Sequence, residues 1–88
     1  MRGTHINEVL RMVRRYLSGK TDVISFCRDF PREVIRRYEK MEREDTADAG
    51  KILYYLVENG TDRFDKLSET DFRNLIKTQY DNFMMGIY

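Results

Sequence analysis

Residue types that carry catalytic or metal chemistry are sparse in this chain of 88 residues, which has one cysteine, Cys27, and one histidine, His5. Zinc sites need several Cys or His ligands at short spacings, and nucleophilic catalysis needs a base within reach of the nucleophile. The glycine-rich phosphate loop, the nucleophile elbow and the EF-hand pattern do not occur in the sequence. We therefore expect no enzyme activity, no metal and no cofactor, with Cys27 as a structural residue.

The first of two charge clusters is acidic and spans residues 58–71, where only Arg63 and Lys66 interrupt it. Its members are Glu58, Asp62, Asp65, Glu69 and Asp71. Helix capping explains one or two of these acids, and the aromatic residues Tyr54, Tyr55 and Phe64 lie nearby in sequence. Aromatic anchors beside charges of one sign are typical of protein–protein sites. We predict that these eight residues bind a partner protein; an ordinary solvated surface is the alternative interpretation.

The second cluster is basic and lies in the first half of the chain. It comprises Arg11, Arg14, Arg15, Arg28, Arg32, Arg36, Arg37, Lys40 and Arg43. Clustered cations can neutralise phosphates, which makes nucleic-acid binding one hypothesis. Glu33, Glu39 and Glu42 interrupt the cluster, however, and the whole chain has a net charge of only +1. A solvated helix face is therefore the favoured interpretation.

Apolar residues recur at helical spacing in four segments, which the sequence delimits with capping signals. The first is predicted from Thr4 to Ser18, with Thr4 as N-cap and Gly19 just after its end. The second follows Asp22 and ends near Glu44. The third begins at Asp45 or Thr46 and ends at Asn59-Gly60. The fourth opens at Ser68-Glu69-Thr70-Asp71, which resembles a capping box, and ends near Gly86.

These segments predict an all-α fold, an antiparallel four-helix bundle that forms a single helical domain over residues 1–88. Pro31 indicates either a kink in the second helix or a break into two helices, and the continuous apolar stripe favours the kink. Phe26 is expected at the flank of that stripe. The predicted core consists of Leu10, Val13, Leu17, Cys27, Phe30, Val34, Ile52, Leu53, Leu56, Phe72, Leu75, Ile76 and Phe83.

The N-terminal sequence and the cysteine count indicate where the protein is located. Residues 1–8 contain no hydrophobic signal segment, and a single cysteine excludes an internal disulfide. We therefore expect a cytoplasmic protein that is not inserted in a membrane.

The order of the elements resembles a family of small bacterial immunity proteins, those of the colicin D type and of contact-dependent growth-inhibition systems. The resemblance rests on the run from Tyr16 to Phe26, which contains Gly19, followed by a long second helix. It continues with a helix that leads into an acidic loop over residues 58–65 and a last helix that opens with Ser68-Glu69-Thr70-Asp71-Phe72-Arg73. It covers roughly residues 8–84. The family's Pro-Asp type loop is replaced here by Asn59-Gly60-Thr61-Asp62.

The resemblance implies that the protein binds a cognate bacterial toxin, such as a tRNA-cleaving nuclease, and blocks its basic active site with the acidic segment. Two alternatives stay open from the residues alone. One is a small nucleic-acid-binding regulator that uses the arginine-rich second helix. The other is a helical oligomeric scaffold, suggested by apolar or aromatic residues outside the predicted core: Tyr54, Tyr55, Met84, Met85 and Ile87.

Overall fold

A computed structural model describes residues 3–88 and confirms the all-α bundle. It contains α1 (Thr4–Leu17), α2 (Val23–Glu44), α3 (Thr46–Lys51) and α4 (Glu69–Met84). A π-helical segment (Ile52–Glu58) continues α3, and a 3₁₀ helix (Thr61–Lys66) leads into α4. No strand occurs within these described residues. Because α2 is continuous through Pro31, the interpretation as one helix is confirmed.

The turn between α1 and α2 forms as its capping residues predict. Gly19 has a φ of +83°, a left-handed conformation that glycine adopts without steric cost. Its N–H donates to the Tyr16 carbonyl at 3.1 Å, and the Lys20 N–H donates to the Arg15 carbonyl at 2.9 Å, which is a Schellman motif. Asp22 then caps α2 by accepting a 2.7 Å hydrogen bond from the Ser25 N–H.

The N-terminus of α1 is capped by a distant carboxylate, and the prediction that Thr4 is the N-cap is wrong. Thr4 is the first helical residue, and the N-cap, Gly3, has no side chain to offer. Glu44, the last residue of α2, accepts hydrogen bonds of 2.9 Å from the N–H groups of His5 and Ile6. A Cβ at Gly3 would lie 2.5 Å from Glu44 Cδ, so a larger residue there would displace the capping carboxylate. The cap therefore joins the two helices.

The C-terminus of α1 also has a partner from elsewhere in the chain. Arg73 of α4 donates one hydrogen bond to the Tyr16 carbonyl at 3.3 Å and another to the Leu17 carbonyl. Its guanidinium carbon lies 5.9 Å from the centre of the Tyr16 ring. A cation at this end and a carboxylate at the other both complement the α1 macrodipole.

The core is centred on aromatic rings from three helices. Phe26 stacks on Tyr16, with ring centres 4.5 Å apart, and on Phe30 at 5.1 Å, while Phe72 lies 5.9 Å from Tyr16. Phe26 is 1% exposed, so the expectation that it flanks the stripe is wrong. The buried face of α2 follows Phe26, Phe30, Val34 and Met41 instead of passing through Cys27.

Four residues predicted in the core lie at its edge. Leu17, Cys27 and Leu53 are only partly buried where they pack against it, and Leu75 lines a surface groove. For Leu53 the cause is the π-helical segment, in which the turn is widened to i→i+5 hydrogen bonding. Val57 then shares the buried face of Ile52, five residues earlier, and is 5% exposed.

The third helix ends at Asn59, which caps it in place of the expected Gly60 signal. The Asn59 N–H and its side-chain amide both donate to the Tyr54 carbonyl at 2.9 Å. Gly60 has a φ of −134°, so it is not a left-handed cap. It is buried, and only glycine fits there because a Cβ would overlap the Leu56 carbonyl oxygen. Residues expected to form a loop after it instead form the 3₁₀ helix.

The centre and the edge of the core should respond differently to truncation. We expect Phe26→Ala to lower the free energy of unfolding by about 3–5 kcal/mol, because it removes a fully buried ring. Leu53→Ala should cost only about 1–2 kcal/mol, because its side chain is partly solvated already. Urea denaturation of both variants measures the difference; an equal cost would contradict the placement of Leu53.

The Glu44 cap should make stability depend on pH in the acid range. Partial burial opposes the charged form of Glu44, but the hydrogen bonds from His5 and Ile6 prevail and lower its pKa from 4.5. The folded protein therefore favours the carboxylate, and this stabilisation is present above about pH 4.5 and is lost as the pH falls below it.

We expect Glu44→Gln to cost about 1 kcal/mol at pH 7, as loss of a cap does, and to lose less stability than the wild type between pH 5 and pH 3. Thermal melts at a series of pH values provide the measurement. Glu39→Gln is the control, since Glu39 is exposed and, within residues 3–88, pairs with Arg43 alone. An acid profile identical in Glu44→Gln and wild type would exclude the cap as a source of pH dependence.

Candidate protein-binding surface

The five predicted acids are all exposed and lie on three consecutive elements of the chain. Glu58 closes the π-helical segment, Asp62 and Asp65 belong to the 3₁₀ helix, and Glu69 and Asp71 lie in the first turn of α4. Within residues 3–88, none of the five forms an ion pair. Their charges are therefore not neutralised by neighbouring cations.

The 3₁₀ helix sorts its charged residues by sign. Side chains three positions apart lie on the same edge of a 3₁₀ helix. Thr61 and Phe64 form the inward edge, where Thr61 is buried and Phe64 packs against the core. Asp62 and Asp65 consequently share one outer edge, and Arg63 and Lys66 share the other. Arg63 is held by Asn59, whose side-chain oxygen accepts its hydrogen bond at 3.0 Å.

Glu69 and Asp71, the two acids in the first turn of α4, lie on different sides of that helix. Asp71 lines a groove beside the 3₁₀ helix, together with Arg63. Glu69 is close enough to Tyr16 to raise the pKa of that phenol, although desolvation is the larger cause. Glu69 therefore lies on the α1 side and Asp71 on the groove side. The structure brings together Asp62 and Asp65 but does not place all five acids in one patch.

Glu58 has an acidic neighbour that the sequence analysis did not include. The pKa of Tyr38, on α2, is raised by desolvation first and then by the charges of Glu42 and Glu58. Both carboxylates therefore lie near the Tyr38 hydroxyl, where α2 and the third helix meet. The sequence could have indicated that Glu42 lies near Tyr38, because Glu42 follows Tyr38 by four positions on the same helix.

The three aromatic residues predicted to bind a partner have different surroundings. Tyr54 is 54% exposed and meets only the edge of Tyr55 among the aromatic rings of the described chain. Tyr55 stacks on Tyr88, with ring centres 3.5 Å apart, and Phe64 packs edge-on against Phe72 at 5.2 Å. Only Tyr54 is thus free to act as an aromatic anchor, while Tyr55 and Phe64 mainly stabilise the fold.

A shallow groove of about 530 Å³ runs between the 3₁₀ helix and α4. Its residues are Asn59, Arg63, Leu67, Asp71, Asn74, Leu75, Thr78 and Gln79. Leu67 and Leu75 contribute apolar side chains to its lining, although Leu75 was predicted in the core. Gln79 is 8% exposed and donates to the Asn59 carbonyl at 3.3 Å, which fixes the base of the groove.

The arginines of α2 differ from the acids in that most have a carboxylate partner on the same helix. Glu33 accepts from Arg36 at 2.6 Å and from Arg37 at 2.9 Å, and these bonds lower the pKa of Glu33 to about 2. Arg28 pairs with Asp29 at 2.8 Å and Arg43 with Glu39 at 2.5 Å. The helix face is therefore largely neutralised, as the solvated-face interpretation expects.

The residues with reactive side chains lie apart from one another. Burial raises the pKa of the Cys27 thiol to about 11, and His5 Nδ1 lies 2.9 Å from Arg37 Nη1 in the network around the α1 cap. Among the residues described, no group of three or more His, Cys, Asp or Glu side chains has the geometry to hold a metal ion.

Comparison with known proteins gives this chain no relative: no protein-family model, no curated protein and no solved structure matches it. None of the helices described here combines the length and the apolar character that crossing a membrane requires.

Cys27 should react slowly with thiol reagents in the folded protein. A thiol with a pKa of about 11 has very little thiolate at neutral pH, and the thiolate is the reactive form. We expect labelling by a chromogenic disulfide at pH 7 to be at least tenfold slower than in 6 M guanidinium chloride. Rapid stoichiometric labelling of the native protein would contradict a structural role.

Proposed function

We propose that this protein is an immunity protein, which binds a cognate toxin domain through an acidic surface centred on Asp62 and Asp65 and covers the basic site where that toxin holds its substrate. The observation that carries the proposal is the set of five exposed acids without ion pairs, in contrast to the paired arginines of α2. The resemblance to colicin D type and growth-inhibition immunity proteins supplies the class of partner, a nuclease such as one that cleaves tRNA.

Nuclease active sites are basic because they bind phosphates, so unpaired carboxylates complement them. The gain is chiefly in association rate and specificity, since charges that are complementary across an interface steer the encounter. Within this surface, Asp62 and Asp65 contribute most to the complementarity because they project from the same edge of the 3₁₀ helix. Tyr54 is the candidate aromatic anchor, since exposed tyrosines are enriched among residues that dominate binding energy.

The alternative hypothesis, a regulator that binds nucleic acid through the arginines of α2, has less support. Phosphates would have to displace Glu33, Asp29 and Glu39 from arginines that these acids already bind. That competition reduces the gain from each phosphate contact.

The proposal predicts a charge-specific loss of inhibition. Asp62→Lys with Asp65→Lys should weaken binding to the cognate toxin domain at least 100-fold, because two attractions become repulsions. The control is Glu8→Lys with Glu39→Lys, which makes the same change in net charge at exposed positions on α1 and α2. It should weaken binding less than fivefold.

Calorimetry of the purified pair measures the affinity, and cleavage of RNA by the toxin domain measures inhibition. Thermal melts establish that both double variants remain folded. The proposal fails if the toxin domain is neither bound nor inhibited by the wild type. The assignment of the surface fails if the control pair abolishes inhibition and the Asp62/Asp65 pair leaves it intact.

A further inference from the structure

The last two turns of α1, whose arginines the sequence places in one basic cluster with those of α2, form a separate concave surface. It encloses about 430 Å³ and is lined by Arg11, Arg14, Arg15, Ser18 and Lys20. Four of these five side chains are cations and the fifth is a hydroxyl, so the lining contains no carboxylate. We call this surface the α1 basic pocket.

The cations of the α1 basic pocket have few internal partners. Arg11 is 3.7 Å from Glu8, a long contact between exposed side chains, and Arg14 donates to the neutral Tyr80 hydroxyl at 3.2 Å. In the part of the chain that the structure describes, neither Arg15 nor Lys20 has a carboxylate within ion-pair distance. The arginines paired on α2 show that this chain neutralises such side chains elsewhere.

Capping of α1 does not explain these cations. Basic side chains near a helix C-terminus can bind its free carbonyl groups. Here the Gly19 and Lys20 N–H groups, the Ser18 hydroxyl and Arg73 already bind the carbonyls of Tyr16, Arg15 and Leu17. The guanidinium groups of Arg14 and Arg15 therefore remain available to an external anion.

We propose that the α1 basic pocket binds the phosphate backbone of a nucleic-acid duplex. Residues 11, 14, 15 and 18 follow one helix face over a rise of about 10 Å. Four cations, each able to contact one phosphate, allow three to four phosphate contacts along a duplex. Arginine is well suited to them because its planar guanidinium can form two parallel hydrogen bonds to one phosphate.

The lining of the pocket favours a duplex over a single strand. Proteins that bind single strands without sequence preference use aromatic side chains on which the bases stack. The α1 basic pocket has no aromatic lining residue, so it lacks the stacking platforms on which such single-strand binding depends. The interaction is therefore independent of sequence, since phosphate contacts position a duplex without reading its bases.

The test uses the whole chain and fluorescence anisotropy with labelled 16-base-pair DNA and RNA duplexes and with one of their single strands. We expect a Kd of about 10⁻⁴–10⁻⁶ M for duplex, as in sequence-independent binding, and weaker binding to the single strand. Three to four phosphate contacts predict a slope of log K against log salt of about −3. The DNA and RNA arms establish which duplex form fits the pocket better.

Matched arginine variants locate the contact. Arg14→Gln with Arg15→Gln should weaken duplex binding at least tenfold and make the salt slope shallower by about 2, because two phosphate contacts are lost. Arg28→Gln with Arg36→Gln removes the same charge from arginines that are already paired on α2, and it should weaken binding less than threefold. Circular dichroism melts control for folding.

The proposal is overturned if the wild type binds no duplex at 50 mM salt, if it binds the single strand as tightly as the duplex, or if the two double variants weaken binding equally. It does not depend on the proposed immunity function. No toxin takes part in this measurement, and the acids of the partner-binding surface are unchanged in both variants.

Discussion

The fold depends on the way in which α1 is held at both ends by side chains from other helices. Glu44 binds the free N–H groups at its N-terminus, and Arg73 binds the free carbonyl groups at its C-terminus. Each charge opposes the partial charge of the helix end that it binds, so both contacts are electrostatically favourable. They also fix directions: α2 must end where α1 begins, and α4 must begin where α1 ends. The antiparallel arrangement follows from these two contacts together with the aromatic core around Phe26.

Ion pairing among the side chains of this helical bundle determines which charged surfaces are available to other molecules. The acids and arginines of α2 lie three or four positions apart, where helix geometry lets them meet, and they neutralise one another. Within residues 3–88, the acids of residues 58–71 form no ion pair, and of the cations at the end of α1 only Arg11 does, at 3.7 Å from Glu8. The small net charge of the chain therefore conceals local groups of opposite sign, the Asp62/Asp65 edge of the 3₁₀ helix and the α1 basic pocket.

The π-helical segment and the 3₁₀ helix determine how the surface around Asp62 and Asp65 is arranged. The widened turn brings Val57 into the core, and Gly60 then lets the backbone pass directly beside the Leu56 carbonyl. The tighter 3₁₀ turns that follow direct Phe64 inward and place Asp62 beside Asp65. The π-helical segment and the 3₁₀ helix both depart from α-helical geometry. Together they determine which residues between 52 and 66 face the solvent.

The sequence by itself determined the helices, since their start and stop signals are local: Asp22, Ser68 and Gly19 act on backbone groups within a few residues. It also determined the absence of a catalytic motif and the position of the charge clusters along the chain. Only the tertiary structure decided how those charges are used. Contacts between residues far apart in sequence placed Glu44 on α1, turned Phe64 and Tyr55 toward other rings, and separated Glu69 from Asp71. Helical periodicity could not place Leu53 or Phe26 correctly, because the π-helical register and the packing of three helices around one aromatic cluster rotate the buried faces away from an ideal α-helical stripe.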